Sequence, residues 1–163
     1  MSATGLNAYQ RARSRRRAVT SARLALAHAP SVHYTQGVAR WEGINEHRRA
    51  YRGEYPHHAD CSAFTTWCLW DATLRYHPHD FVNGEHWQAG YTGTQQAHGR
   101  RLGVHEKKLP GDLVFYGNQG GGIAEHVAIY VGDGKVISHG SEGGPFLLAW
   151  NYRPVNETRR YIR

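Results

Sequence analysis

The chain changes character at Leu109, and that boundary constrains the fold more than anything else in it. From there the sequence reads Leu109-Pro110-Gly111-Asp112-Leu113-Val114-Phe115-Tyr116, then a glycine-rich crossing over residues 117–122. His126-Val127-Ala128-Ile129-Tyr130-Val131, Gly132-Asp133-Gly134 and Lys135-Val136-Ile137-Ser138-His139-Gly140 follow. Two β-rich runs joined through Asp-Gly predict a hairpin. Residues 147–150 and 159–162 supply candidates for further short strands. Upstream of Leu109 the apolar spacing is helical or absent, so the order is helices first and an antiparallel sheet second, an α+β domain.

With 163 residues and 40% of them hydrophobic, the chain has material for one globular core. No apolar run approaches the roughly 18 residues that a membrane span needs. The N-terminus shows no apolar signal core, which predicts a protein made in the cytoplasm. Residues 1–28 carry Arg11, Arg13, Arg15, Arg16, Arg17 and Arg23 and no acidic residue, +6 of the formal net charge of +7. This segment has helical composition and ends at Pro30. Such a helix grips an anionic polymer by charge alone or is a solvated face. Residues 31–37 read as an extended segment closed by Gly37, residues 38–55 as a loop with a short helix, and residues 80–108 as a long irregular connection anchored by Trp87 and Tyr91.

Between these lies Asp60-Cys61-Ser62-Ala63-Phe64-Thr65-Thr66-Trp67-Cys68-Leu69-Trp70. Asp60 is a good N-cap residue, and Cys61, Phe64, Cys68 and Ala72 recur along one helical face. Cys61 therefore opens a core helix. Free N–H groups and the positive end of the helix dipole predict a lowered thiol pKa there, which makes Cys61 a candidate nucleophile. Cys68 lies two turns inside the same helix and reads as a small core residue. The two Cα atoms stand roughly 10 Å apart on a helix, beyond disulfide reach, so both should be free thiols. A helix-borne cysteine followed by a strand-borne histidine, with a third polar group to orient the imidazole, is the minimum apparatus for covalent acyl transfer.

Asp60-Cys61-Ser62-Ala63-Phe64, the Leu109–Tyr116 run and His126-Val127-Ala128-Ile129-Tyr130-Val131-Gly132, in this order, resemble the NlpC-type papain-like peptidoglycan peptidases. The resemblance extends over residues 31–163, with Tyr34-Thr35-Gln36-Gly37 similar to the family's upstream segment and Thr94-Gln95-Gln96 to the stretch before its Leu-Pro-Gly-Asp strand. It implies a single papain-like domain over 1–163: a basic helix (1–29), a helical and loop half with Cys61 (30–108) and a β half with His126 (109–163). It implies hydrolysis of an amide bond in the bacterial stem peptide, often the D-glutamyl–diaminopimelate bond, without a cofactor. Cys61 attacks, His126 moves the proton, and Tyr34, Asp60, Ser62 and the Cys61 N–H bind substrate or hold the oxyanion. Together with the N-terminus, the chain is similar to phage endolysins, which are made in the host cytoplasm and reach the wall once the membrane is opened. The chain departs from the pattern in a longer spacing between Tyr34 and Cys61 and in Cys-Ser-Ala where Cys-Ser-Gly is common.

In the family the third catalytic residue is typically 12 positions after the histidine, which is Ser138 here. Strand alternation points elsewhere. A two-residue Asp133-Gly134 turn puts odd-numbered residues of the second strand on the face of His126, which selects His139 as the orienting group, with Glu142 and Asn151 further off. A register slipped by one would select Ser138. Other readings are an N-acetylmuramoyl-L-alanine amidase with the same Cys–His site, a zinc amidase using some of the twelve histidines, or a non-catalytic basic module that binds wall or nucleic acid. The histidines show no HExxH or paired His-x₃-His spacing, so no metal ligands are assigned, and no specific nucleic acid is expected as a partner.

Overall fold

The computed structural model describes residues 5–141 and 143–163. In chain order, α1 is Ala8–Ala27, β1 His33–Tyr34, α2 Glu42–Asn45, β2 His58–Ala59, α3 Cys61–Thr73, α4 Thr92–Ala97, β3 Arg100–Arg101, β4 Leu113–Tyr116, β5 His126–Gly132, β6 Lys135–Gly140, β7 Gly143–Ala149 and β8 Val155–Arg160. Strands β3 to β8 form an antiparallel sheet in the order β3-β8-β4-β5-β6-β7. β1 and β2 pair in parallel, apart from that sheet.

Helix α1 starts at a capping box, in which Asn7 accepts from the Gln10 N–H and the Gln10 side chain accepts from the Asn7 N–H. Its buried stripe is Ser14, Ala18, Ser21, Ala22 and Ala25. These small side chains let α1 lie close against α3. Two of the six arginines expected to face a polymer are instead tied inward. Arg15 donates to the carbonyls of Pro110 and Ile162 and pairs with the fully buried Asp112, and Arg17 Nε lies 3.2 Å from Asp71 Oδ2. Burying Asp112 and Asp71 demands partnered cations: α1 supplies Arg17 to Asp71, and Asp112 takes Arg160 from β8 at 2.8 Å together with Arg15 at 3.4 Å.

Helix α3 is buried along its whole length rather than along one face, because it is the central rod of the molecule. The inward residues of the sheet, Leu113, Phe115, Val127, Ile129, Val131 and Ile137, share one core with α1 and α3. The opposite face carries a smaller cluster of Val114, Tyr116, Ala128 and Val136 under Tyr130, Trp150 and Tyr152.

Residues 80–108 contain α4 and β3, where the sequence suggested an irregular connection. Polar side chains hold this part in place. The buried Gln95 side-chain amide donates to the Ser62 carbonyl (3.1 Å) and to the hydroxyls of Thr65 and Thr66 (3.2 and 3.0 Å), and the Gln95 backbone carbonyl accepts from the Tyr161 hydroxyl (2.6 Å). On the same helix Thr92 donates to the Ala124 carbonyl (2.8 Å) and Gln96 accepts from the Ala124 N–H (2.7 Å). α4 therefore fixes the first turn of α3 relative to the chain entering β5, the two segments that carry Cys61 and His126.

Candidate active site

Asp60 caps α3 as expected, accepting from the Ala63 N–H at 2.7 Å and from the Ser62 hydroxyl at 3.0 Å through one carboxylate oxygen. The other oxygen holds Arg40 Nη1 at 2.6 Å, and Arg40 also reaches the Gly90 carbonyl. Asp60 and Ser62 are both buried. Their hydrogen bonds shape the helix start, and Arg40 closes the pair.

Cys61 is a free thiol, 9% exposed, and Cys68 is a free thiol with no exposure. The thiol of Cys61 accepts from the N–H groups of Val127, Ser62 and Cys61 itself. Those donors favour a thiolate, but burial and then the Asp60 carboxylate outweigh them and push the thiol up from its usual 9.0 to about 11. The lowered pKa expected from the helix start is therefore not what the folded site gives. An unassisted Cys61 is a neutral thiol at pH 7, and attack requires a base.

Val127 follows His126, so the thiol lies against the beginning of β5. His126 is buried and pairs across the ladder with Tyr116, whose ring stacks near its imidazole at a centroid distance of 5.9 Å. Its Nε2 lies 2.7 Å from the Ser138 hydroxyl, and Ser138 Oγ lies 3.2 Å from the hydroxyl of Tyr152.

His139 does not face His126. It is completely buried between Tyr34 and Phe64, with ring centroids 5.8 and 5.9 Å away, and its Nε2 lies 3.1 Å from the Ala59 carbonyl. The reason is a bulge. Asp133 and Gly134 form the expected two-residue turn with positive φ at both positions, and Gly132 pairs with Lys135. Tyr130 then pairs with Val136, so Val131 has no opposite residue and the register slips by one before it reaches the site. Ser138 rather than His139 comes onto the face of His126. A second irregularity in β6 at His139, between the pairs Ser138↔Phe146 and Gly140↔Gly143, accompanies its turn into the core. Burial lowers the His139 pKa, keeping the ring neutral. Of the outside candidates, Asn151 is exposed in a turn and Glu142 lies outside the described residues.

Tyr34 comes to the site by a route that spacing alone hides. β1 pairs with β2 so that Tyr34 lies beside Ala59, two residues before Cys61, and the Thr35 N–H donates to the Ala59 carbonyl at 3.0 Å. The extra length between Tyr34 and Cys61 is looped out. Sequence reasoning missed Arg40, Tyr116 and Tyr152, since each meets the site across a distant segment. Only the strand periodicity of Tyr116 hinted at its face. Among the described residues no three His, Cys, Asp or Glu side chains converge in a way that could hold a metal ion.

Residues 46–147 match the NlpC/P60 family. The fold is similar to those of NlpC1 and NlpC2 from Trichomonas vaginalis, each with a TM-score of 0.60, at 21% and 20% identity over 92% and 97% of this chain. It is also similar to an NlpC/P60 family protein from Bacillus cereus, with a TM-score of 0.51 and 25% identity over 66% of this chain and 33% of the other. The chain spans about half the length of the two Trichomonas proteins, 45% and 50%. No curated protein matches it.

Proposed function

The chain belongs to the NlpC/P60 family, and from that premise we propose that it is a cysteine peptidase of peptidoglycan in which Cys61 and His126 carry the reaction. The observation that supports this best is the Val127 N–H on the Cys61 thiol, which brings the nucleophile against the strand that begins with His126. The Ser138 hydroxyl lies 2.7 Å from Nε2, and the mechanism assigns the ring proton to that nitrogen, which leaves Nδ1 to take the thiol proton. The thiolate attacks the peptide carbonyl, the Cys61 N–H stabilises the oxyanion, and the imidazolium returns its proton to the departing amine. Water then cleaves the thioester with His126 as base. Tyr34 lies beside the helix start and is assigned to substrate binding, and Asp60 and Ser62 are assigned to shaping that subsite.

The finer proposal is cleavage of the D-glutamyl–diaminopimelate bond in host lysis, with the exposed Arg13, Arg16 and Arg23 holding anionic wall polymer. Mass analysis of fragments released from purified walls tests the bond. New amino groups on diaminopimelate are expected, whereas intact stem peptide freed from muramic acid would mean an amidase. Expression in a bacterial cytoplasm should be harmless until a membrane-permeabilising protein is co-expressed, and lysis without that partner would remove the lysin role.

A further inference from the structure

A second feature lies about 20 Å along α3 from the thiol, where the helix ends. α1, the chain after Arg48 and the end of α3 enclose a cavity of about 640 Å³ lined by Arg13, Arg17, Arg49 and Arg75, with Tyr51 and Tyr76. Its one acid, Asp71, is already satisfied. Asp71 accepts from Ser21 (2.5 Å) and Arg17 (3.2 Å) through one oxygen and from the Ala50 N–H (3.1 Å) through the other. No ion pair among the described residues engages the remaining three cations. Arg13 reaches only the Tyr9 hydroxyl at 3.3 Å, Arg49 lies over the Trp70 ring at 5.0 Å, and Arg75 is exposed. Arg17 Nη2 is buried with no hydrogen-bond partner.

Four guanidinium groups gathered around one cavity with a single acid, already paired with Arg17, repel one another, and a ligand of opposite charge relieves that repulsion. We infer that this cavity is a binding site for the phosphate groups of a phosphodiester polymer without bases, a polyol-phosphate chain. Guanidinium groups from three separate segments approach from different directions, which suits a tetrahedral oxyanion better than a planar carboxylate. A polymer suits the rim better than a lone phosphate, because the exposed Arg52, over the ring of the lining Tyr51, extends the cationic surface beyond the cavity. A base-bearing polymer would need an open aromatic face. Tyr51 is 57% exposed, but its ring is already covered by Arg17 (4.5 Å) and Arg52 (5.4 Å).

The choice of a wall-type polymer rests on the function proposed above. The probe, however, is a labelled poly(glycerol phosphate) chain with no amide bond, so binding by a protein that fails to cut peptides separates the two readings. Fluorescence anisotropy of the full chain should show binding, and Arg13→Gln with Arg75→Gln should weaken it about tenfold and flatten its salt dependence. Both side chains are exposed and lack acidic partners, and an unchanged alkylation rate of Cys61 checks that the fold is kept. Undiminished binding in the double variant would overturn the site. Inorganic phosphate, a polyglutamate or a single-stranded oligonucleotide displacing the probe as well as unlabelled polymer does, at equal charge, would overturn the assigned ligand.

Discussion

The Ser138 hydroxyl stands 2.7 Å from Nε2 of His126, on the same face of two neighbouring strands. A serine carries no charge to stabilise an imidazolium, so in the proposed mechanism its part is to hold the Nε2–H tautomer and leave Nδ1 as the base. Its hydroxyl has a second polar partner in the hydroxyl of Tyr152, 3.2 Å away. Ser138→Ala should lower kcat/KM on a soluble stem peptide about tenfold or more, with the melting temperature little changed. Tyr152→Phe should lower it about two- to fivefold, because the serine is then free to rotate. Full activity in Ser138→Ala would remove the hydroxyl from the mechanism.

Cys61→Ser should lose activity by about 10³-fold or more, while Cys68→Ser stays active. The two thiols differ in setting: Cys61 is at the cap with three N–H donors, and Cys68 is sealed in the core. Comparison of initial rates on purified walls, with circular dichroism as a control for folding, checks both.

The thiol near 11 also makes a statement about pH. Its folded value lies above the usual 9.0, so the folded state holds the proton more tightly. That stabilisation is complete below pH 9 and is lost as the pH rises toward 11. Thermal unfolding of the wild type should therefore weaken over that window more than unfolding of Cys61→Ala does. In His126→Ala, alkylation of Cys61 should need alkaline pH, because no base remains to take the proton.

His139 should behave as a structural residue. Its buried ring joins β6 to the residue before Asp60 through the Ala59 carbonyl, and His139→Ala should cost about 2–3 kcal/mol by lost packing and a lost hydrogen bond. Its pKa is lowered by burial, so the unfolded chain takes up the proton first. The stability it contributes is present at neutral pH and is lost as the pH falls below about 6.5. Melting curves from pH 7 to pH 5 should fall for the wild type, and less steeply for His139→Phe.

Arg15 and Arg16 are neighbours with opposite fates. Arg15→Ala leaves Asp112 paired with Arg160 and the Leu109 N–H but strips the Pro110 and Ile162 carbonyls of a donor, and should cost about 2 kcal/mol, whereas Arg16→Ala on the exposed side should stay within about 0.5 kcal/mol. Urea denaturation distinguishes them.

Local chemistry was legible in the sequence, and its long-range consequences were not. The cap at Asp60, the buried Cys68 and the Asp133-Gly134 turn are each set by a few adjacent residues, and each was readable. Val131 shows why the third member of the site was not. The turn was foreseen correctly, yet one unpaired residue beyond it reversed the face of everything downstream, and a bulge leaves little trace in apolar alternation. Arg15 and Arg17 failed for a different reason. Composition counts charges but does not say that buried Asp112 and Asp71 wait for them on other elements. Residues 80–108 are held by amide and hydroxyl bonds from Gln95, Gln96 and Thr92, which hydrophobic periodicity does not register.

The parallel bridge of His33–Tyr34 with His58–Ala59 makes residues 35–57 a closed excursion whose two ends meet beside Cys61. This excursion owns Arg40, and Tyr34 stands at its root, yet it contributes neither the thiol nor the imidazole. In the proposed mechanism, binding and bond-breaking thus fall to separable stretches of chain. Under the proposed function, changing the length or composition of this detour alters what is gripped while the chemistry stays where it stands, which makes it the graft point for redirecting the molecule.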